Sequence, residues 1–221
     1  MPKKSTALKN WVDFLRARSW DAAYWQTPQL EVFASSGRPE KLFYFTRSAV
    51  LDAWLKHDLT VPSVVAFTRA GLVTETYSKL VRAMSASLGM PVEFVGSLTP
   101  GDVLTYLTLQ HGGLDLASPK SGDSDVRYFG IDDEWLDIRD EYTSRRPVGL
   151  SLPQLLVPMS PEDEAELDIL EKLVPSIETM LGPKSAAILR SRQMLFLEGM
   201  TNPKIYGDDF SPILRRHLMG K

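Results

Sequence analysis

The side chains best suited to chemistry fall in three short stretches: Thr46-Arg47, Thr68-Arg69-Ala70-Gly71, and Gly96-Ser97-Leu98-Thr99-Pro100-Gly101-Asp102. Among the acids, Asp102, Glu75 and one of Asp132 or Asp133 could converge on one sheet edge and hold a divalent cation, which is the chemistry of phosphoryl transfer. The preferred reading of the same residues is structural: Asp102 caps a helix and Glu75 is solvated in the first turn of another. Among the cations, Arg47, Arg69 and Lys79 are candidates for phosphate binding, joined by Arg145, Arg146, Arg190, Arg192, Arg215 and Arg216, with interleaved Trp and Tyr for stacking. Solvated surface cations are the competing reading.

Other chemistries are excluded by residue type or spacing. The chain has no cysteine, which removes disulfides, thiolate nucleophiles and Cys-ligated metals, and suits a reducing, cytoplasmic compartment. His57, His111 and His217 are widely spaced, follow no metal-ligand pattern and read as surface residues at helix ends. There is no GxGxxG, no glycine-rich loop ending in Gly-Lys-Ser/Thr and no nucleophile elbow, so nucleotide binding through those motifs and Ser-His-Asp hydrolysis are out. Gly71 and Gly96 read as turn glycines.

Those three stretches owe their position to what precedes them. Short apolar runs rich in aromatic and β-branched residues predict strands at 41–46, 63–67, 91–95 and 126–129. Helical patterns follow at 48–57, 73–88 and 102–110. Such alternation predicts parallel βαβ crossovers, hence an α/β protein with an open, mostly parallel, doubly wound sheet. Ligands of such sheets bind beyond the carboxyl ends of the strands, where the three stretches lie. A helix from Ser5 or Thr6 to about Trp20, then irregular chain with a short strand at 30–34, marks residues 1–39 as an N-terminal appendage to a domain spanning 40–221. The last third reads as helical, with a helix opened by Ser160 as cap and Pro161, and others at about 184–192 and 210–218.

Composition bounds the partners. At 221 residues, with 43% hydrophobic and 24% charged residues, the chain can bury one substantial core. The net charge of −3 and pI near 5.7 argue against a surface wholly devoted to nucleic acid. Yet residues 131–180 carry 13 Asp and Glu against 4 Lys and Arg, whereas 183–221 carry 7 Lys and Arg against 3 acids, so a local basic surface remains open. No apolar run precedes the charge at Lys9, so no secretory signal is expected, and no segment reaches the roughly 20 apolar residues of a bilayer span.

The stretch GSLTPGDVLTYLTL after the third strand resembles the Toprim domain of the topoisomerase VI A subunit and its relatives, among them the nuclease subunit of Wadjet-type defence systems. There the same position reads Gly-Asp-Leu-Asp-Pro or Asp-x-Asp-Pro before a helix. The order of strands and helices is similar too, as is the run from Phe129 to Leu136, then Leu152-Pro153 and Met159 to Glu166; the resemblance spans roughly residues 40–175. It implies a Toprim-like sheet in which a Glu ending the first strand and two Asp after the third hold Mg²⁺. The matching positions here are Thr46, Ser97 and Thr99, with Asp102 beside them. All three charges are missing, so the resemblance implies a degenerate site without metal or cofactor. The winged-helix domain of that family, with its Tyr nucleophile, has no room in the first 40 residues, and Tyr24 reads as packing.

The function expected from the sequence is therefore a non-catalytic, Toprim-like module that binds nucleic acid or a partner protein. Two alternatives stand beside it: a metal-dependent nuclease or phosphoryl-transfer enzyme using displaced carboxylates, and a structural protein that forms homo-oligomers.

Overall fold

Five short apolar runs pair into one sheet: β1 (Glu31–Ala34), β2 (Lys41–Phe45), β3 (Val64–Thr68), β4 (Val92–Val95) and β5 (Val126–Tyr128), in spatial order β1-β3-β2-β4-β5. This computed structural model describes residues 31–34, 39–57, 64–68, 73, 75–111, 126–145, 150–174 and 176–201. β2 lies parallel to both β3 and β4, and β4 parallel to β5. β1 is the antiparallel edge strand, with Glu31 opposite Thr68. Each strand read from the sequence is present to within a residue at its ends. β1 precedes the expected domain boundary at residue 40, yet it belongs to the sheet.

Parallel neighbours need crossovers, and α1 (Ser48–His57), α2 (Glu75–Leu88) and α3 (Pro100–His111) supply them after β2, β3 and β4. Leu42, Phe43, Tyr44 and Phe45 of β2 and every residue of β4 are buried, as expected of central strands covered on both faces. Because β3 lies on one side of β2 and β4 on the other, the strand order reverses between β2 and β4. Tyr44, Phe94 and Tyr128 are register partners across the sheet and stack at 5.8 and 5.9 Å between ring centroids. Tyr106 of α3 packs on Phe94 and, edge-on, on Tyr128, so this aromatic row is the floor beneath α3.

The C-terminal part comprises α4 (Asp133–Arg145), α5 (Leu152–Leu155), β6 (Leu156–Pro158), α6 (Pro161–Leu173), α7 (Ile177–Leu181), α8 (Pro183–Arg190), β7 (Gln193–Leu195) and α9 (Leu197–Thr201). Ser160 caps α6 as expected: its hydroxyl accepts from the Asp163 N–H, and the Asp163 carboxylate accepts from the Ser160 N–H. The helix expected to reach residue 192 stops at Arg190, and Arg192 turns the chain through the left-handed region at φ 59° into β7. β7 pairs antiparallel with β6, a ladder the sequence pattern did not reveal. α3 contacts β5, α2 and α6, and so is buried nearly all round despite its polar first turn. The expected helices at 5–20 and 210–218, together with Tyr24, Arg69, Gly71, Arg146, Arg215, Arg216 and His217, lie outside the described residues.

Candidate functional site

The reversal of strand order places the ends of β2 and β4 side by side, and open α/β sheets take their ligands there. Thr46 follows β2 and Ser97 follows β4, and the two are tied to one carboxylate oxygen. Thr46 Oγ1 donates to Asp102 Oδ2 at 2.7 Å, and the Ser97 N–H donates to the same oxygen at 2.7 Å. Thr99 completes the cluster by accepting the Asp102 N–H on its hydroxyl at 3.1 Å. Thr46, Ser97, Thr99 and Asp102 are all buried.

Local chemistry explains this arrangement. Pro100 and Gly101 are the first two residues of α3, so Thr99 is its N-cap and Asp102 its third residue. The expectation that Asp102 caps this helix is corrected: the cap is Thr99, which frees the Asp102 carboxylate to reach inward to the strand ends. Gly96 is also corrected, since its φ is not positive. A Cβ there would lie 2.6 Å from Cε1 of Phe94 and 3.3 Å from Cβ of Asp102, so close approach rather than turn geometry excludes a side chain.

Burial pushes the Asp102 carboxyl up to about 6, although the charge of Arg47 and the hydrogen bonds from Thr46 and Ser97 act against that rise; Glu198 adds to it. Glu166, close to Gly101, is raised by its own burial and by repulsion from Asp163 and Asp102.

The far side of the cluster is closed by the chain itself. Leu98 and Leu195 exchange two backbone hydrogen bonds, at 2.9 and 3.1 Å, extending β7 onto the loop after β4. The Leu197 N–H donates to Ser97 Oγ at 3.1 Å, and Ser97 Oγ lies 3.5 Å from Glu198 Oε2. Arg47 Nε sits 3.3 Å from Glu198 Oε1, too poorly aligned to be a hydrogen bond, while its guanidinium lies 5.7 Å from the centre of the Phe196 ring. Sequence reasoning missed Leu197 and Glu198. One acid in an apolar run, about 100 residues from its partners, leaves no local signal.

The Mg²⁺ implied by the Toprim resemblance does not fit these donors. Three of the four positions offer neutral hydroxyls, and Asp102 spends Oδ2 on two short hydrogen bonds inside the protein. Two of the carboxylates considered as replacements serve helix starts. Asp132 accepts the Trp135 N–H at the start of α4, and Asp133 accepts the N–H groups of Lys184 and Ser185 at the start of α8. Glu75 opens α2. Among the described residues no three His, Asp or Glu are grouped to hold a metal ion.

Among the described residues, three of the cations named from the sequence face acids. Arg47 faces Glu198, Arg190 pairs with Glu178, and Arg192 pairs with Asp168 at 3.2 Å. Lys79 is exposed on α2, and Arg145 ends α4. His57 and His111 do end helices, and His111 Nδ1 lies 2.8 Å from the Leu107 carbonyl oxygen. No helix of the described residues is long and apolar enough to cross a membrane.

No family model and no curated protein matches the chain.

Proposed function

We propose that this chain is a non-catalytic, Toprim-like interaction module whose ligand is a partner protein. The observation that carries this reading is the inward turn of Asp102, whose Oδ2 at the reversal of strand order serves as a buried tie between Thr46 and Ser97. A displaced-carboxylate enzyme would need acids gathered on the outer face of that tie. Asp132 and Asp133 instead serve helix N-termini.

A protein partner is favoured over nucleic acid because phosphate binding needs several unpaired cations on one surface. Among the described residues, Arg47, Arg190 and Arg192 each face an acid of the same chain. Fluorescence anisotropy with duplex and single-stranded oligonucleotides tests this, measured from about 50 to 200 mM salt, the range over which phosphate contacts lose most of their strength. The expected result is no saturable binding. Submicromolar binding that weakens steeply with salt would move the function to nucleic acid.

A further inference from the structure

α6 is apolar on two sides. It packs on α3 and buries Leu167 and Leu170, yet the side turned away from them also carries an apolar row. Pro161, Ala165, Ile169 and Leu173 recur at every fourth residue, so they form one continuous ridge, and all four are exposed. Ile169 and Leu173 are 50% and 39% exposed, and among the described residues only Val157 is a large apolar side chain of similar exposure. Beyond Leu173 the ridge runs into an open cavity of about 330 Å³, lined in part by Leu107, Val174 and Met180. The neighbouring row is charged: Glu164, Asp168 and Lys172 are all exposed.

We propose that a second copy of this chain docks on the ridge, α6 against α6, antiparallel about a two-fold axis. The inference rests on the reading of the chain as a protein-binding module and names the partner. The ridge is complementary to itself. Reversed about its middle, it sets the large Ile169 against the small Ala165 of the second copy and Leu173 against the second copy's Pro161, each contact occurring twice. The same reversal brings Lys172 to Glu164 of the second copy at both ends, because these two lie one turn to either side of Asp168 on a single row. Asp168 then lies near its own counterpart, and Arg192 of the same chain already neutralises it at 3.2 Å. A parallel arrangement would set Glu164 against Glu164 and Lys172 against Lys172. The cavity beside Leu173 adds an apolar seat for the start of the second helix. One helix ridge covers less than the about 800 Å² per partner of a stable complex, so the dimer is weak and depends on concentration.

Sedimentation velocity of the full chain, from about 1 to about 500 µM, should show a reversible monomer–dimer equilibrium. Ile169→Lys places a charge at the centre of the ridge and should weaken dimerisation roughly tenfold or more. Lys172→Glu and Glu164→Lys should each weaken it roughly threefold, as exposed ion pairs do. An equimolar mixture of those two variants should dimerise as tightly as the unaltered chain, since each then meets the opposite charge at both ends. Loss of favourable charge at the ends of α6 would not be repaired by mixing, so this arm decides the matter if Ile169→Lys fails to fold in a thermal melt. A monomer at every concentration would hand the ridge to an unrelated partner and overturn the proposal. So would a dimer that Ile169→Lys leaves intact, or a mixture no tighter than its components. A monomer that binds no oligonucleotide removes only this surface and leaves the protein-partner reading standing; oligonucleotide binding removes that reading, while the ridge still stands or falls by sedimentation.

Discussion

Thr46 Oγ1 and Asp102 Oδ2 are 2.7 Å apart, a buried hydrogen bond that joins the end of β2 to the first turn of α3 across 56 residues of sequence. The Ser97 N–H shares the same oxygen, so one carboxylate fastens three segments where the strand order reverses. Its energetic character follows from its surroundings. Burial opposes the charge, and two donors with the nearby Arg47 oppose burial.

Stability should fall as pH rises from about 4 to about 6, to the extent that Asp102 sets it. Its folded carboxyl titrates near 6 and its unfolded one near 3.8, so the folded state holds the proton more tightly. That contribution is fully present below 3.8 and is lost as pH rises through 6, amounting to at most about 3 kcal/mol. Urea unfolding of the unaltered chain and of Asp102→Asn at pH 4, 5, 6 and 7 isolates it. Glu93 and Glu166 are also raised by burial, but both remain in the variant. The unaltered chain should gain on Asp102→Asn as pH is lowered; a constant difference would contradict the buried carboxylate.

Thr46→Val keeps the shape of the side chain and removes the donor. Asp102 then keeps one short hydrogen bond where it had two, and the loss should cost about 1–3 kcal/mol at pH 7. At pH 4, where the carboxyl is largely protonated, the cost should shrink. Denaturant midpoints at the two pH values provide the comparison, and equal costs at both would mean that Thr46 acts only through packing.

Gly96→Ala tests the close approach at the end of β4. Its Cβ would meet the Phe94 ring at 2.6 Å, and that ring is fixed between Tyr44, Tyr128 and Tyr106. Overpacking of this kind costs about 1–3 kcal/mol. A melting temperature unchanged by the substitution would show that the aromatic row yields.

Most of this sheet could be read from the chain because central parallel strands are largely apolar: Leu42 to Phe45 is a continuous apolar run, and Val92 to Val95 is one interrupted only by the buried Glu93. The cap at Ser160 was equally legible, since serine, proline and acids in that order have one common use. Ser160→Ala should cost about 1 kcal/mol in a thermal melt, and no loss would mean that Pro161 and the helix acids suffice.

The candidate site was legible only in its members. Thr46, Ser97, Thr99 and Asp102 were named from the loops, but their roles depend on contacts that the pattern does not encode. Asp102 was read as a cap because aspartate near a helix start commonly is one; Thr99, three residues earlier, takes that place and turns Asp102 inward. β6 and β7 are three residues each, too short for any period to emerge, so their ladder and its bridge from Leu195 to Leu98 were invisible. Asp132 and Asp133 were grouped with Asp102 by chemical type, and the helix N-termini they serve became apparent only from the fold.

Calorimetric titration of Mn²⁺ into the unaltered chain tests the central claim, that the acid at the reversal of strand order is a structural tie and not a metal ligand. The account predicts no saturable heat with Mn²⁺ in the millimolar range, and the same null result for Asp102→Asn. Tight, stoichiometric binding that Asp102→Asn abolishes would contradict it and return the protein to the metal-dependent enzymes.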